Sequence, residues 1–229
     1  LGSPTSAVLD AGGFVHALFR DFEAAGGMGF MGVTVSGIVK SGGGWEISGS
    51  EADGEPFSVT AGAVVNAAGL YSDRVAAMAG VPVAELGLEL HFSKGDYFTL
   101  APEKGRLVSR PVYPLPEPDN LGIHITPDVA GSVKLGPDAY YIERREEYRV
   151  DPGRASLFFE AVKPFFPALE VTDLSSAMSG IRPKLQGPGE PFRDFHIKED
   201  LPGLFDCIGI ESPGLTSALA LAKYVRSIM

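Results

Sequence analysis

Two cations towards the carboxyl-terminal end of the chain have the type and the spacing to bind a carboxylate. They lie in the segment Gly180-Ile181-Arg182-Pro183-Lys184, and residues two apart on an extended strand project from the same face. Arg182 could hold one carboxylate through two hydrogen bonds, while Lys184 attracts another as a point charge. The alternative is a solvated strand edge whose cations pair with nearby acids, and Pro183 is typical of such an edge.

A second segment, from Val64 to Asp73, could lie against a nucleotide. Its valines predict a parallel strand covered on both faces, and Ser72 or Asp73 could cap the helix that follows. The strand ends in small residues that let a phosphate or a sugar approach the backbone, namely Asn66, Ala67, Ala68 and Gly69. The alternative is an ordinary turn between a strand and a helix.

A third candidate is the start of the last helix, at Gly214-Leu215-Thr216. Free backbone N–H groups and the helix dipole at this position could stabilise a partial negative charge. A reduced flavin carries such a charge on its pyrimidine side. The alternative is a helix start with no ligand.

His124 is the histidine with the strongest case for a catalytic role, because the alternation in Gly122–Thr126 sets it apart from the apolar side chains on either side. A histidine can act as a general base near neutral pH, although a structural role is the alternative. The four histidines show no spacing typical of zinc ligands, so no metal site is predicted.

Two familiar motifs do not fit their contexts. Residues 27–32 match G-x-G-x-x-G, but a helix precedes them and β-branched residues follow, whereas a dinucleotide-binding motif follows a strand and opens a helix. Ser212 lies between a strand and a helix, yet its spacing from Gly209 differs from that of a nucleophile elbow, and Pro213 lacks an N–H group for an oxyanion hole.

Composition excludes several classes of protein. The 229 residues are 45% hydrophobic, which is enough for a substantial core, and a net charge of −10 argues against binding to nucleic acid. The single cysteine, Cys207, excludes an internal disulfide and fits a reducing, cytoplasmic compartment. No apolar run is long enough to span a bilayer, so any contact with the inner membrane is expected to be peripheral.

The elements that must position these residues predict an α/β or α+β fold. Asp10 caps a helix expected to pack one face, and three short strands separated by glycine-rich turns then form an antiparallel meander. Longer strands between prolines predict a mixed or antiparallel sheet in a separate lobe. The domain boundaries are expected at 1–86, 87–180 and 181–229, with the third segment returning to the first domain.

Several segments together resemble the D-amino-acid-oxidase-like superfamily of FAD-dependent oxidoreductases, and within it the L-2-hydroxyglutarate dehydrogenase/oxidase group. The most specific is the block from Gly209 to Thr216. The others are Val64–Asp73, Lys94-Gly95-Asp96-Tyr97-Phe98, Gly122–Thr126 and Gly180–Lys184. The resemblance implies the carboxyl-terminal portion of an FAD-binding domain, interleaved with a substrate domain.

The resemblance also implies roles for individual residues. Val35 matches the position whose backbone meets the adenine, and the segment from Asn66 to Gly69 matches the strand end beside the nucleotide. Gly214, Leu215 and Thr216 match the pyrimidine edge of the flavin. Arg182 matches the arginine that binds the substrate carboxylate, while His124 and Tyr97 match further positions of the substrate site.

The implied reaction is the oxidation of a small 2-hydroxy acid, such as L-2-hydroxyglutarate, with hydride transfer to flavin N5. An amine oxidase for glycine- or sarcosine-like amino acids is the alternative within the class. Because the strand and G-x-G-x-x-G that open the family are missing, the chain is expected to be a fragment that is inactive by itself. A binding module without a cofactor is the alternative from another class.

Overall fold

The computed structural model describes residues 2–115 and 122–229, which form two compact units. Unit 1 contains the described residues of 2–25 and 93–181, and unit 2 contains residues 26–92 and 182–229. The chain crosses between the two units after residues 25, 92 and 181. The first helix groups with unit 1, although the sequence assigned it to the first domain.

The chain contains five α-helices and eleven strands among its described residues. In order, they are α1 (Ala11–Ala24), β1 (Thr34–Ser41), β2 (Gly44–Ser50), β3 (Pro56–Ala61), β4 (Val64–Asn66), α2 (Ser72–Met78), β5 (His91–Leu100), α3 (Pro102–Gly105), β6 (Ile125–Pro127), β7 (Val133–Leu135), β8 (Tyr140–Ile142), α4 (Ala155–Val162), β9 (Leu174–Lys184), β10 (His196–Leu201), β11 (Leu204–Ile208) and α5 (Gly214–Ile228). None of the helices in the described part of the chain is long and apolar enough to cross a membrane.

Helix α1 begins where the sequence predicts. The Asp10 side chain accepts a hydrogen bond from the Gly13 N–H at 3.0 Å, as an N-cap does. None of the helix residues is fully buried, but Phe14, Leu18 and Phe19 of the apolar face are half-buried. Val15 and Phe22 are about half exposed.

Unit 2 contains two small sheets. Strands β1, β2 and β3 form the predicted antiparallel meander. The second sheet has the order β10-β11-β4, in which β11 runs antiparallel to β10 and parallel to β4. Helix α2 contacts β1, β4 and β11, so it links the two sheets.

The parallel strand β4 is predicted correctly, but the burial of its two faces is not. Asn66 is buried, whereas Val65 is 43% exposed. The expectation of a strand buried on both faces is therefore wrong. Helix α2 also lacks the predicted side-chain cap: its N-cap residue is Tyr71, which makes no capping hydrogen bond through its side chain. Ser72 and Asp73 are instead buried residues of the helix.

Unit 1 is built on a sheet of order β6-β7-β5-β8, with β9 paired to β5. Cross-strand neighbours project from the same face, so the pairs Phe98↔Leu135 and Ile125↔Leu135 place three apolar side chains on one side. Helix α4 adds Phe158, whose ring centroid lies 4.7 Å from that of Phe98. These residues form the centre of the apolar core of unit 1.

A buried ionic network holds the middle of β5. The fully buried Asp96 carboxylate lies 3.6 Å from Lys94 Nζ and accepts a hydrogen bond from Tyr140 Oη at 3.0 Å. Asp138 accepts from the Asp96 N–H at 2.7 Å and from Arg154 Nε at 2.7 Å. Burial, followed by the hydrogen bond to Asp96, raises the pKa of Tyr140 to about 12. Two acids and two cations balance, so the network fixes the strand without leaving a net charge inside.

Replacing Phe158 with alanine tests the core of unit 1. The fully buried ring leaves a cavity against Phe98, so we expect Phe158→Ala to lower the free energy of unfolding by about 3–5 kcal/mol. Denaturant unfolding measures the loss. Leu157→Ala is the matched control on the same helix, because that side chain is 46% exposed and its truncation should cost about 1 kcal/mol or less. Equal losses in the two variants would contradict the assigned core.

Candidate functional site

The turn after β4 is organised by the Asn66 side chain. Asn66 Nδ2 donates to Ser72 O at 2.8 Å and to Asp206 Oδ1 at 2.6 Å, and Asn66 Oδ1 accepts from the Ala68 N–H at 3.2 Å. All the polar atoms of this side chain are therefore used within the protein. Ala67 and Ala68 are exposed residues, and the Ala68 carbonyl accepts a hydrogen bond from the Tyr71 N–H at 3.0 Å. Gly69 has a φ of +57°, and the space around its missing Cβ is open.

Val35 lies in β1, which belongs to the meander sheet, whereas Asn66 belongs to the sheet formed by β10, β11 and β4. The pairing of β1 with β2 shifts between Val35 and Gly37, so a bulge interrupts the strand next to the predicted adenine position. Val35 is 36% exposed. The sequence did not predict this bulge, because a glycine such as Gly37 can also lie in a regular strand.

The amino terminus of α5 is formed by Pro213, Gly214, Leu215 and Thr216. The N-cap residue is Pro213, and Ser217 N–H donates the first hydrogen bond of the helix to Pro213 O at 3.0 Å. Gly214 is buried, while Leu215 and Thr216 are exposed. The N–H groups of Leu215 and Thr216 precede that first bond and lie at the positive end of a helix of 15 residues.

Arg182 and Lys184 converge on one carboxylate of the protein itself. Lys184 Nζ lies 2.7 Å from Glu211 Oε1, and Arg182 Nη1 lies 3.3 Å from Glu211 Oε2. The shared partner confirms that the two cations project from the same face of β9. It also shows that the pairing with a nearby acid, which the sequence left open, is present. Glu211 is a site residue that sequence reasoning missed, since only its place in the turn before α5 was visible.

Tyr97 and His124 lie on one face of the sheet in unit 1. Their neighbours Phe98 and Ile125 both pair with Leu135 and face the core, so alternation turns Tyr97 and His124 to the other face. Gly136 lies next to both residues: its N–H donates to His124 O at 2.9 Å, and a Cβ there would meet Tyr97 Cδ1 at 2.9 Å. The structure therefore brings these two predicted residues together.

The His124 ring has fixed surroundings. It stacks on the Tyr113 ring with centroids 4.4 Å apart and an angle of 22° between the planes. Nδ1 lies 3.2 Å from Gly122 O, which is a hydrogen bond when that nitrogen carries the proton. In that tautomer Nε2 is the basic atom, as a general base requires.

Comparison with known proteins places the chain in a family. The sequence profile described as "FAD dependent oxidoreductase" (DAO) matches residues 1–228. The chain belongs to this FAD-dependent oxidoreductase family. It is 39% identical to the mitochondrial L-2-hydroxyglutarate dehydrogenase of Arabidopsis thaliana, over 72% of this chain and 37% of that protein. It is 26% identical to the L-2-hydroxyglutarate dehydrogenase of Salmonella houtenae, over 98% of this chain and 60% of that protein.

Solved structures show the same fold at lower identity. The L-α-glycerophosphate oxidase of Mycoplasma pneumoniae, solved with FAD bound, has a TM-score of 0.71 and 22% identity, over 86% of this chain and 50% of that chain. The glycine oxidase of Bacillus cereus has a TM-score of 0.67 and 18% identity, over 93% and 54%. The mixed α/β fold predicted from the sequence is thereby confirmed for this member of the DAO family.

The second residue that sequence reasoning missed is Asp206, in the middle of β11. The apolar run Leu-Phe-Asp-Cys-Ile contains it, and an acid inside such a run was the available signal. Asp206 is fully buried, and its Oδ2 has no hydrogen-bond donor among the described residues. Burial, together with the charge of Asp200, raises the pKa of Asp206 to about 6. Asp200 itself lies 2.6 Å from His196 Nε2.

This raised pKa predicts that stability falls as the pH rises. The protonated form is favoured by folding, so its stabilisation is complete below the ordinary value of 3.8 and is lost as the pH passes about 6. Asp206→Asn stays neutral at every pH and can still accept from Asn66. We expect it to raise the free energy of unfolding at pH 8 by about 1–3 kcal/mol, with little change at pH 4.

Denaturant unfolding at a series of pH values measures this effect. Asp194→Asn is the matched control, because Asp194 is an exposed acid of the same unit. The control should show no gain that depends on pH. A pH-independent difference between Asp206→Asn and the unsubstituted protein would contradict the buried, protonated state.

Proposed function

We propose that the chain is part of an FAD-dependent oxidoreductase that oxidises a small 2-hydroxy acid resembling L-2-hydroxyglutarate to the 2-oxo acid. The observation that carries the proposal is the pair Arg182 and Lys184, which already binds a carboxylate, that of Glu211, in the turn leading to α5. Such a pair suits an acidic substrate. Membership of the family and the names of the curated relatives support the same reaction class.

The residues of unit 2 fit FAD. The small, exposed residues Ala67 and Ala68 and the open space at Gly69 leave room for a nucleotide at the carboxyl end of a parallel strand. We propose that this turn and the backbone near Val35 hold the adenosine half. We further propose that Leu215 and Thr216 hold the pyrimidine edge of the flavin, where the helix dipole favours negative charge. Unit 2 is thus the proposed FAD-binding part, and it also carries Arg182 and Lys184.

The chemistry divides between the cofactor and the side chains. When bound, FAD supplies the acceptor for the hydride that leaves the substrate Cα. In the proposal Arg182 binds the substrate carboxylate and so fixes the orientation of Cα. His124 is the proposed base that takes the hydroxyl proton at Nε2, and Tyr97 is a proposed substrate contact on the same sheet face. An exposed guanidinium is suited to its role, and Arg182 is 37% exposed.

Purification of the complete protein with its flavin tests the proposal. We expect a yellow protein whose absorbance near 450 nm bleaches when L-2-hydroxyglutarate is added without oxygen. Glycine and sarcosine are the comparison substrates, and faster bleaching by either would favour an amine oxidase. A colourless protein that takes up no FAD would falsify the oxidoreductase proposal and favour a binding module.

The two proposed roles predict different kinetic defects. Arg182→Ala removes the carboxylate contact, so KM should rise by about 100-fold or more. His124→Gln removes the base, so kcat should fall by about 100-fold or more while the flavin stays bound. Arg226→Ala and His16→Gln are controls that remove the same types of side chain elsewhere in the chain, on α5 and α1. Steady-state kinetics measure KM and kcat for each variant. Unchanged constants would show that the substituted residue is not part of the site.

A further inference from the structure

We propose that Glu211 holds Lys184 in an ion pair and so keeps it from the substrate. Arg182 is then the group that binds the substrate carboxylate, and Glu211 is a specificity-determining residue. The inference rests on the proposed function, because it concerns the substrate of the same site. It also revises the role that the sequence gave to Lys184. In this proposal Lys184 positions Glu211 and does not contact the substrate.

The first support is that both cations contact the same carboxylate. Oε1 of Glu211 faces Lys184 Nζ and Oε2 faces Arg182 Nη1, so one acid engages the pair. Two carboxylates side by side, one on each cation, would have to displace this acid. The geometry is therefore that of a cluster around one carboxylate.

The second support is the difference between the two contacts. The bond from Lys184 is short, at 2.7 Å, while the bond from Arg182 is 3.3 Å and lies beyond the usual length for N–H···O. The Glu211 side chain is only 7% exposed, that of Lys184 is 20% exposed and that of Arg182 is 37% exposed. A buried carboxylate that lost its short contact would be left nearly unpaired, which is strongly unfavourable. Arg182 is thus the cation that can leave Glu211 and bind another carboxylate.

The third support is that Glu211 is held rigidly. Gly209 has a φ of +75°, and a Cβ there would lie 2.7 Å from Leu185 Cγ, so Leu185 packs directly on the turn. The Gly214 N–H also donates to Glu211 O, which ties the residue to the start of α5. The backbone that carries Glu211 is consequently held in place next to β9.

The charge of the cluster then defines the substrate class. Two cations and one acid leave a net charge of +1, which one substrate carboxylate neutralises. A second carboxylate close to the first would meet the charge of Glu211 without a free cation. The cluster thus selects an acid bound by one carboxylate, and the other acidic group of a 2-hydroxy diacid must be bound away from these three residues.

Binding of two unreactive acids to the FAD-loaded protein tests this inference by titration calorimetry. Pentanoate carries one carboxylate, and malonate carries two that are separated by a single methylene. The variants are Glu211→Gln, Lys184→Met and the double substitution, which removes both charges of the short pair. Glu199→Gln is the matched control, because it makes the same change of charge at an exposed position whose Oε1 accepts from the Gly203 N–H.

The expected result is that the two single substitutions act in opposite directions and that removal of Glu211 restores the binding lost with Lys184. Glu211→Gln should tighten pentanoate binding about tenfold, because Lys184 is released to the ligand, and should tighten malonate binding further. Lys184→Met should weaken pentanoate binding about tenfold, because Glu211 then turns fully to Arg182. The double variant should return to within about threefold of the unsubstituted protein. Glu199→Gln should change neither affinity.

Three results would overturn the inference. One is pentanoate binding by Glu211→Gln that is within about twofold of the unsubstituted protein. Another is a double variant that binds pentanoate as weakly as Lys184→Met does, since the loss would then come from a missing contact between Lys184 and the ligand and not from Glu211. The third is the absence of carboxylate binding in both the unsubstituted protein and Glu211→Gln. If Glu211→Gln does not fold, the comparison of Lys184→Met with the double variant still decides. Calorimetry measures ligand binding without turnover. A failure of the proposed reaction can therefore be distinguished from a failure of this inference.

Discussion

The hydrogen bond between Asn66 and Asp206 is the contact on which the organisation of unit 2 depends. It joins β4 to β11, two parallel strands 140 residues apart in the chain. The same Asn66 side chain shapes the turn into α2, and β11 leads into the turn that carries Glu211 and into α5. Both proposed ligand-binding segments therefore extend from one buried pair. That pair includes an acid whose burial favours the protonated form, so the frame of the site is itself sensitive to pH.

Buried charge is handled differently in the two units. In unit 1, Lys94, Asp96, Asp138 and Arg154 balance one another around the strand that carries Tyr97. In unit 2, Arg182, Lys184 and Glu211 leave one positive charge in excess. A balanced network fixes a strand and attracts no ion, whereas an excess of one charge beside an exposed guanidinium attracts an anion. This difference is the physical basis for placing the carboxylate contact at Arg182.

Much of the fold was predictable because it depends on local pattern. The helix after Asp10, the meander, β11 and α5 follow from caps, alternation and turn residues, and the structure confirms each of them. The errors concern the burial of apolar residues and the capping of helices. Val65 is exposed although it continues an apolar run, and α2 lacks the cap that Ser72 or Asp73 could have formed. Whether an apolar or capping residue is used depends on neighbours distant in sequence, which a local pattern does not contain.

For the site, the sequence by itself determined which groups are available: two cations on one strand face, small residues at a strand end, a helix start and a histidine set apart from its apolar neighbours. Residue type and spacing fix these properties, because strand and helix geometry are local. Only the tertiary structure decided how the groups are paired. Glu211 is 27 residues from Lys184, and Asp206 is 140 residues from Asn66. Such contacts form when separate strands pack together, and this packing decides whether a charge is neutralised, buried or left for a ligand.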